Sequence, residues 1–191
     1  MKKTVHATRL GALLALALSS QAMAGSIPLD VTFTATLRET TCDMKIEGGT
    51  GNGTNNTIPI GTGGTMQLSD ITGGTDAATA NFKLKITECP ASLSGLKTTI
   101  SGSQSGYVKT GIINAATTGP ADYLAVSIAR ASATTAPFEI NSTDDSKRLV
   151  WTAAEINAKE VPLVARIIET QSGRGTTGAF SATATFNFTY E

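Results

Sequence analysis

The chain closes on G-A-F-S-A-T-A-T-F-N-F-T-Y-E, Gly178 to Glu191. Phe180, Ala182, Ala184, Phe186, Phe188 and Tyr190 take every second position, with Ser181, Thr183, Thr185, Asn187 and Thr189 between them. Successive side chains of an extended chain point to opposite faces, so this alternation predicts a β-strand with one apolar face. No strand follows it to pair with it. A second stretch of the same kind stands near the other end: P-L-D-V-T-F-T-A-T-L-R-E-T-T-C, Pro28 to Cys42. Here Leu29, Val31, Phe33, Ala35 and Leu37 alternate with Asp30, Thr32, Thr34, Thr36 and Arg38. It has no hairpin partner before it. Its apolar face therefore packs either on this molecule's own core, as the first strand of a closed sandwich, or on another molecule's.

What precedes Pro28 reads as a removable leader. Lys2, Lys3 and Arg9 precede the apolar run Leu10 to Leu18, and Ala22-Met23-Ala24 forms a small-residue site. Charged start, short apolar middle and A-x-A end make a secretory signal peptide over residues 1–24, cleaved between Ala24 and Gly25. Removal leaves 191 − 24 = 167 residues. The only histidine, His6, leaves with it, and the balance becomes 12 Lys+Arg against 15 Asp+Glu, a net of −3. That charge and the lack of a basic cluster argue against a nucleic-acid partner. No later run is long enough for a transmembrane helix, so direct membrane insertion is not expected. Two cysteines are left, Cys42 and Cys89; in an exported chain an even pair most simply forms one disulfide.

Between the two ends the sequence is rich in Thr, Ala, Gly and Ser, broken by short apolar alternations. Asn81 to Cys89 is a clear strand, with Phe82, Leu84 and Ile86 on one face and Pro90 ending it. Leu96 to Ser101, Tyr107 to Ile113, Tyr123 to Ala129 and Glu160 to Thr170 read as further strands. Ile58-Pro59-Ile60, Phe138-Glu139-Ile140 and Lys147 to Trp151 read as short ones. Gly48 to Thr57 reads as loop, Ala153 to Asn157 as a helical turn, and no capped helix with an apolar 3.6-residue period is predicted. Many short strands with regular turn signals predict an all-β chain, a β-sandwich of immunoglobulin-like type.

An enzyme is not expected. Without histidine, and with its cysteines paired, the exported chain lacks the usual general base, the thiolate nucleophile and most transition-metal ligands. Carboxylates at Asp43, Glu47, Asp70, Glu155 and Glu160 show no spacing that singles out a pair. Asp144-Asp145 reads as a solvated turn rather than half a calcium site. The glycine-rich Gly48 to Gly53 lacks the Lys-Ser/Thr ending of a phosphate loop. Neither a metal nor a cofactor is expected.

Four features together give a family resemblance. They are the signal peptide and alternating strand leading into Cys42; the strand Phe82 to Glu88 ending in Cys89; a glycine fourteen residues from the end, Gly178; and the alternating last strand with penultimate Tyr190. In these the whole chain resembles the pilin subunits of chaperone–usher fimbriae, the type 1 pilus family. The resemblance implies an incomplete immunoglobulin-like sandwich lacking its last strand, with residues 25–37 as an N-terminal donor-strand extension and 38–191 as the pilin domain. It implies donor positions at Leu29, Val31, Phe33, Ala35 and Leu37. It also implies a chaperone-facing strand at Phe186, Phe188 and Tyr190, with the terminal carboxylate of Glu191 gripped by a periplasmic chaperone. An outer-membrane usher and neighbouring pilin subunits are the other implied partners, and export through the periplasm to a surface fimbrium is the implied destination. One position departs from the family: glycine is common where this chain has Ala35. The alternative role is a minor adaptor or adhesive subunit that binds a host receptor directly.

Overall fold

The computed structural model describes residues 42–191. The donor positions Leu29, Val31, Phe33, Ala35 and Leu37, the cleavage site Ala24/Gly25 and the leader lie outside the described residues.

Ten strands and two short helices follow one another: β1 Asp43–Glu47, β2 Thr50–Gly51, β3 Asn56–Thr57, α1 Leu68–Thr72, β4 Thr79–Glu88, β5 Leu96–Ser101, β6 Gly111–Ile113, β7 Leu124–Arg130, β8 Leu149–Val150, α2 Ala153–Ala158, β9 Glu160–Glu169 and β10 Thr185–Tyr190. The strands form a five-stranded sheet in the order β1-β4-β9-β7-β6, a three-stranded sheet in the order β10-β5-β8, and the small β2–β3 hairpin. Every ladder is antiparallel. This is the immunoglobulin-like β-sandwich that the alternations predict.

The alternating residues fill the space between the sheets. Phe82, Leu84 and Ile86 of β4, Leu96 and Ile100 of β5, and Val161, Leu163 and Ile167 of β9 are all buried. Full burial of one such side chain contributes roughly 2 kcal/mol. Strand β7 departs from simple alternation, because Ala125, Ser127 and Ala129 are buried along with Leu124, Val126 and Ile128. Trp151 is a core residue, its indole Nε1 donating to the buried Thr98 hydroxyl at 2.9 Å. Cys42 and Cys89 form a disulfide with their Cα atoms 4.4 Å apart, pinning the start of β1 to the end of β4.

Several local expectations are corrected. Gly48 to Thr57 is not plain loop but carries the β2–β3 hairpin. Ile58 to Ile60 and Phe138 to Ile140 contain no strand; their apolar side chains reach the core without ladder pairing. The Tyr107 to Ile113 strand shrinks to Gly111–Ile113. In the stretch from Gly178 only Thr185–Tyr190 is regular strand. A capped helix does exist: α2 is opened by a capping box in which Thr152 and Glu155 bond reciprocally, a T-x-x-E signal present in the sequence.

Candidate functional site

The four outer edges of the two sheets are treated differently. At β1, the Ile46 N–H donates to the Gly53 carbonyl, and the Ile46 carbonyl accepts from the Asn56 side-chain amide at 3.2 Å. The β2–β3 hairpin is thus folded onto that edge. Its shape depends on glycine: at Gly49 and Gly51, both at positive φ, an added Cβ would stand 2.0 and 2.1 Å from hairpin carbonyl oxygens. At β6, the Ile113 N–H donates to Ser103 and the Gly111 carbonyl accepts from Ser105, so residues 103–105 cover the edge. Strand β8 is only two residues long. Covering and shortening are standard ways of keeping a sheet from pairing with another chain. Strand β10 has neither protection: it is six residues long, and among the described residues only β5 pairs with it.

The hydrogen-bond phase of β10 says what its outer edge presents. Glu191 and Gly95 exchange both backbone bonds, at 2.8 and 2.9 Å. In an antiparallel ladder such pairs alternate with pairs whose N–H and C=O groups point away. The register runs Thr189↔Lys97, Asn187↔Thr99 and Thr185↔Ser101, so these residues bond inward. Phe186, Phe188 and Tyr190 therefore turn their backbone donors and acceptors to the outer edge, away from β5. The same three point their rings towards the core and are only half-buried.

The rings pack on the core between the two sheets. The Phe186 ring lies 5.9 Å from that of Phe82 on β4. The Tyr190 hydroxyl donates to the Cys42 carbonyl at 3.2 Å, and burial pushes the phenol's pKa up, with the Asp43 carboxylate adding to the rise. Met44, Ile46, Ile58, Ile60, Met66 and Leu68, all half-buried against the same core, carry the apolar surface on from β1 towards α1. Sequence reasoning found Ile58 and Ile60 only as a short strand and did not join them to Met44, Ile46, Met66 and Leu68, because the chain between the two groups is Gly/Asn/Thr-rich.

Gly178 and Glu191 set the approach to β10 and its exit. Gly178 has φ +155°, and a Cβ there would lie 2.6 Å from both the Ala121 nitrogen and the Gly119 oxygen. The close approach is fixed by bonds from the Ala179 N–H to Gly119 and from the Ala121 N–H to Ala179. At the other end a main-chain carboxylate oxygen of Glu191 accepts from the Ser94 and Gly95 N–H groups, and its side chain meets the Lys97 ammonium. Lys97 also reaches Asp145 at 3.0 Å, and Asp145 in turn pairs with Arg148. Asp145 is thus an ion-pair partner; its carboxyl is held below the usual range first by the hydrogen bond from Lys97. Among the described residues no His/Cys/Asp/Glu cluster has the makings of a metal site, and no helix is long and apolar enough to cross a membrane.

An immunoglobulin-like sandwich with one long strand edge that has no partner among the described residues, and a disulfide between β1 and β4, is the class of domain that emerges. Comparison with known proteins gives it a family. Residues 22–191 match the family model described as "Fimbrial protein", and the chain belongs to that family. It is 29% identical over 167 residues to the uncharacterized fimbrial-like protein YadM of Escherichia coli (strain K12), covering 85% of this chain and 87% of that protein. It also superposes on the crystal structure of the P pilus rod subunit PapA with a TM-score of 0.52, covering 85% of this chain and all of that one. At 16% identity the latter likeness speaks for the fold.

Proposed function

We propose that this chain is a structural subunit of a chaperone–usher fimbria, that it polymerises by donor-strand exchange, and that it contributes to adhesion as part of the assembled fibre. The observation that carries the reading is the β10 edge: six residues long, without a partner on its outer side among the described residues, and backed by half-buried aromatic rings. An added strand finds hydrogen-bond partners at Phe186, Phe188 and Tyr190, and its alternate side chains can meet half-buried apolar groups. Main-chain bonds then supply affinity and alternate side chains supply selectivity.

The segment Leu29 to Leu37 of another subunit has the matching period, with five apolar residues on one face. Before assembly a periplasmic chaperone occupies the same edge and grips the terminal carboxylate at Glu191; the usher is where one occupant replaces the other. Ala35 puts a methyl group where the family commonly has none, so the pocket that receives it must be wide enough for it.

Deleting Gly25 to Leu37 tests the assignment. The truncated chain is expected to form its chaperone complex at normal yield and to build no fibres. Normal fibres from the truncated chain would refute donor-strand exchange through this segment.

A further inference from the structure

The chain has three tyrosines, and two of them touch. Tyr190 stands apart in β10, half-buried, with its hydroxyl bonded to the Cys42 carbonyl. Tyr107 and Tyr123 lie side by side before β6 and before β7, their ring centroids 6.2 Å apart and their planes tilted by 40°. Aromatic rings at that separation interact directly.

The pair is also where an oxidant in solution finds the most accessible oxidisable group. Both cysteines are paired in the disulfide, Trp151 is buried, and Met44 and Met66 are half-buried. Tyr107 is 65% exposed. The surroundings keep the two rings together. The turn carrying Tyr107 is fixed by the buried Ser105 hydroxyl, which accepts from the Tyr107 and Val108 N–H groups. The Tyr123 ring is covered by the Arg174 guanidinium at 4.1 Å, and its hydroxyl accepts from Arg174 at 2.7 Å. Arg174 is itself held by the Gln171 side chain at 2.7 Å.

We infer that Tyr107 and Tyr123 form a dityrosine cross-link within one chain when a haem peroxidase and hydrogen peroxide supply one-electron oxidation. Each phenol gives one electron to the oxidant and its hydroxyl proton to water, which leaves two phenoxyl radicals. Their unpaired electrons combine in a carbon–carbon bond between ring positions ortho to the two oxygens. The hydrogens at those positions then move to the oxygens and restore both phenols. The chain loses two hydrogen atoms, and hydrogen peroxide takes up the two electrons and two protons as water. Because the rings are already in contact, coupling within a chain outruns coupling between chains. The link joins residues 123 − 107 = 16 positions apart and closes a covalent loop around the edge strand β6. The inference does not rest on strand exchange, because neither residue belongs to β10.

The test treats the purified, dilute subunit with a haem peroxidase and hydrogen peroxide, under conditions that couple free tyrosine. Dityrosine fluorescence, intact mass and peptide mapping are read on the monomer. The expected product is a monomer lighter by two hydrogen atoms, in which the peptides of Tyr107 and Tyr123 are joined. Tyr107→Phe and Tyr123→Phe should each abolish the monomer's dityrosine fluorescence, and Tyr190→Phe should keep it. Peptide mapping of the parent chain decides the question even where a variant folds poorly. Three results would overturn the proposal: a monomer of unchanged mass, dityrosine confined to covalent dimers, or a link that contains Tyr190. Dityrosine confined to dimers would assign the coupling to the exposed Tyr107 of two separate chains.

Discussion

The Tyr190 hydroxyl donates a hydrogen bond to the Cys42 carbonyl at 3.2 Å, joining residues 148 positions apart. It ties the end of strand β10 to the disulfide that pins β1 to β4, linking the end of one sheet's edge strand to the start of the other's. Tyr190→Phe removes that bond and keeps the ring. The expected loss is about 1 kcal/mol of unfolding free energy, read by urea denaturation. Tyr190→Ser also removes the ring from its place against the core, and under the proposed function it lowers the yield of the chaperone complex. An unchanged yield would count against the role given to this residue.

Gly178→Ala should be among the most damaging single changes in the chain. A methyl group there meets backbone atoms of Gly119 and Ala121 at 2.6 Å, and backbone cannot step aside as a flexible side chain can. The expected cost is about 2 kcal/mol or more. Gly106→Ala, where no atom lies within 4 Å and φ is not positive, is the matched control and should be close to neutral. Equal melting temperatures for the two variants would show that the approach at Gly178 can relax.

Replacing both cysteines removes a link between residues 47 apart. The chain-entropy model puts the loss at roughly 4 kcal/mol. Thermal melting of the double Cys→Ala variant checks this; a melting temperature equal to that of the oxidised parent would show that the disulfide adds nothing to stability.

Stability should fall with acid in a way that Glu155 helps to set. Burial works to raise its pKa, but the Arg130 guanidinium at 2.8 Å and the Thr152 backbone N–H and hydroxyl outweigh it and hold the carboxyl below the usual 4.5. A folded-state pKa below the unfolded one means that the contribution is present above about pH 4.5 and is lost as pH falls through the depressed folded value. Glu155→Gln should therefore narrow the difference in unfolding free energy between neutral pH and the low end of the carboxylate range. A pH profile identical to that of the parent would contradict this.

The long strands were legible because their periods are clean and their ends are marked. Phe82, Leu84 and Ile86 alternate up to Cys89-Pro90, and β5 spans Leu96–Ser101 as predicted. What escaped the sequence depends on contacts between distant residues. Gly48 to Thr57 reads as loop, and its work as a guard of the β1 edge comes from Asn56 bonding Ile46 and Gly48. Ile58, Ile60, Phe138 and Ile140 look like strand because they are apolar and closely spaced, yet burial alone does not make a ladder. The importance of Gly178 is visible only as a spacing; its cause, the backbone of 119–121, lies some sixty positions earlier.

Amide hydrogen exchange in β10 tests the central claim most directly. In the unassembled subunit the N–H groups of Asn187 and Thr189 bond to β5, while those of Phe186, Phe188 and Tyr190 face the outer edge, away from β5. Alternate residues should therefore exchange slowly and quickly. In assembled fibres the fast set, Phe186, Phe188 and Tyr190, should become protected as an added strand takes up their hydrogen bonds. Fast exchange of these three amides in intact fibres would contradict strand addition at β10.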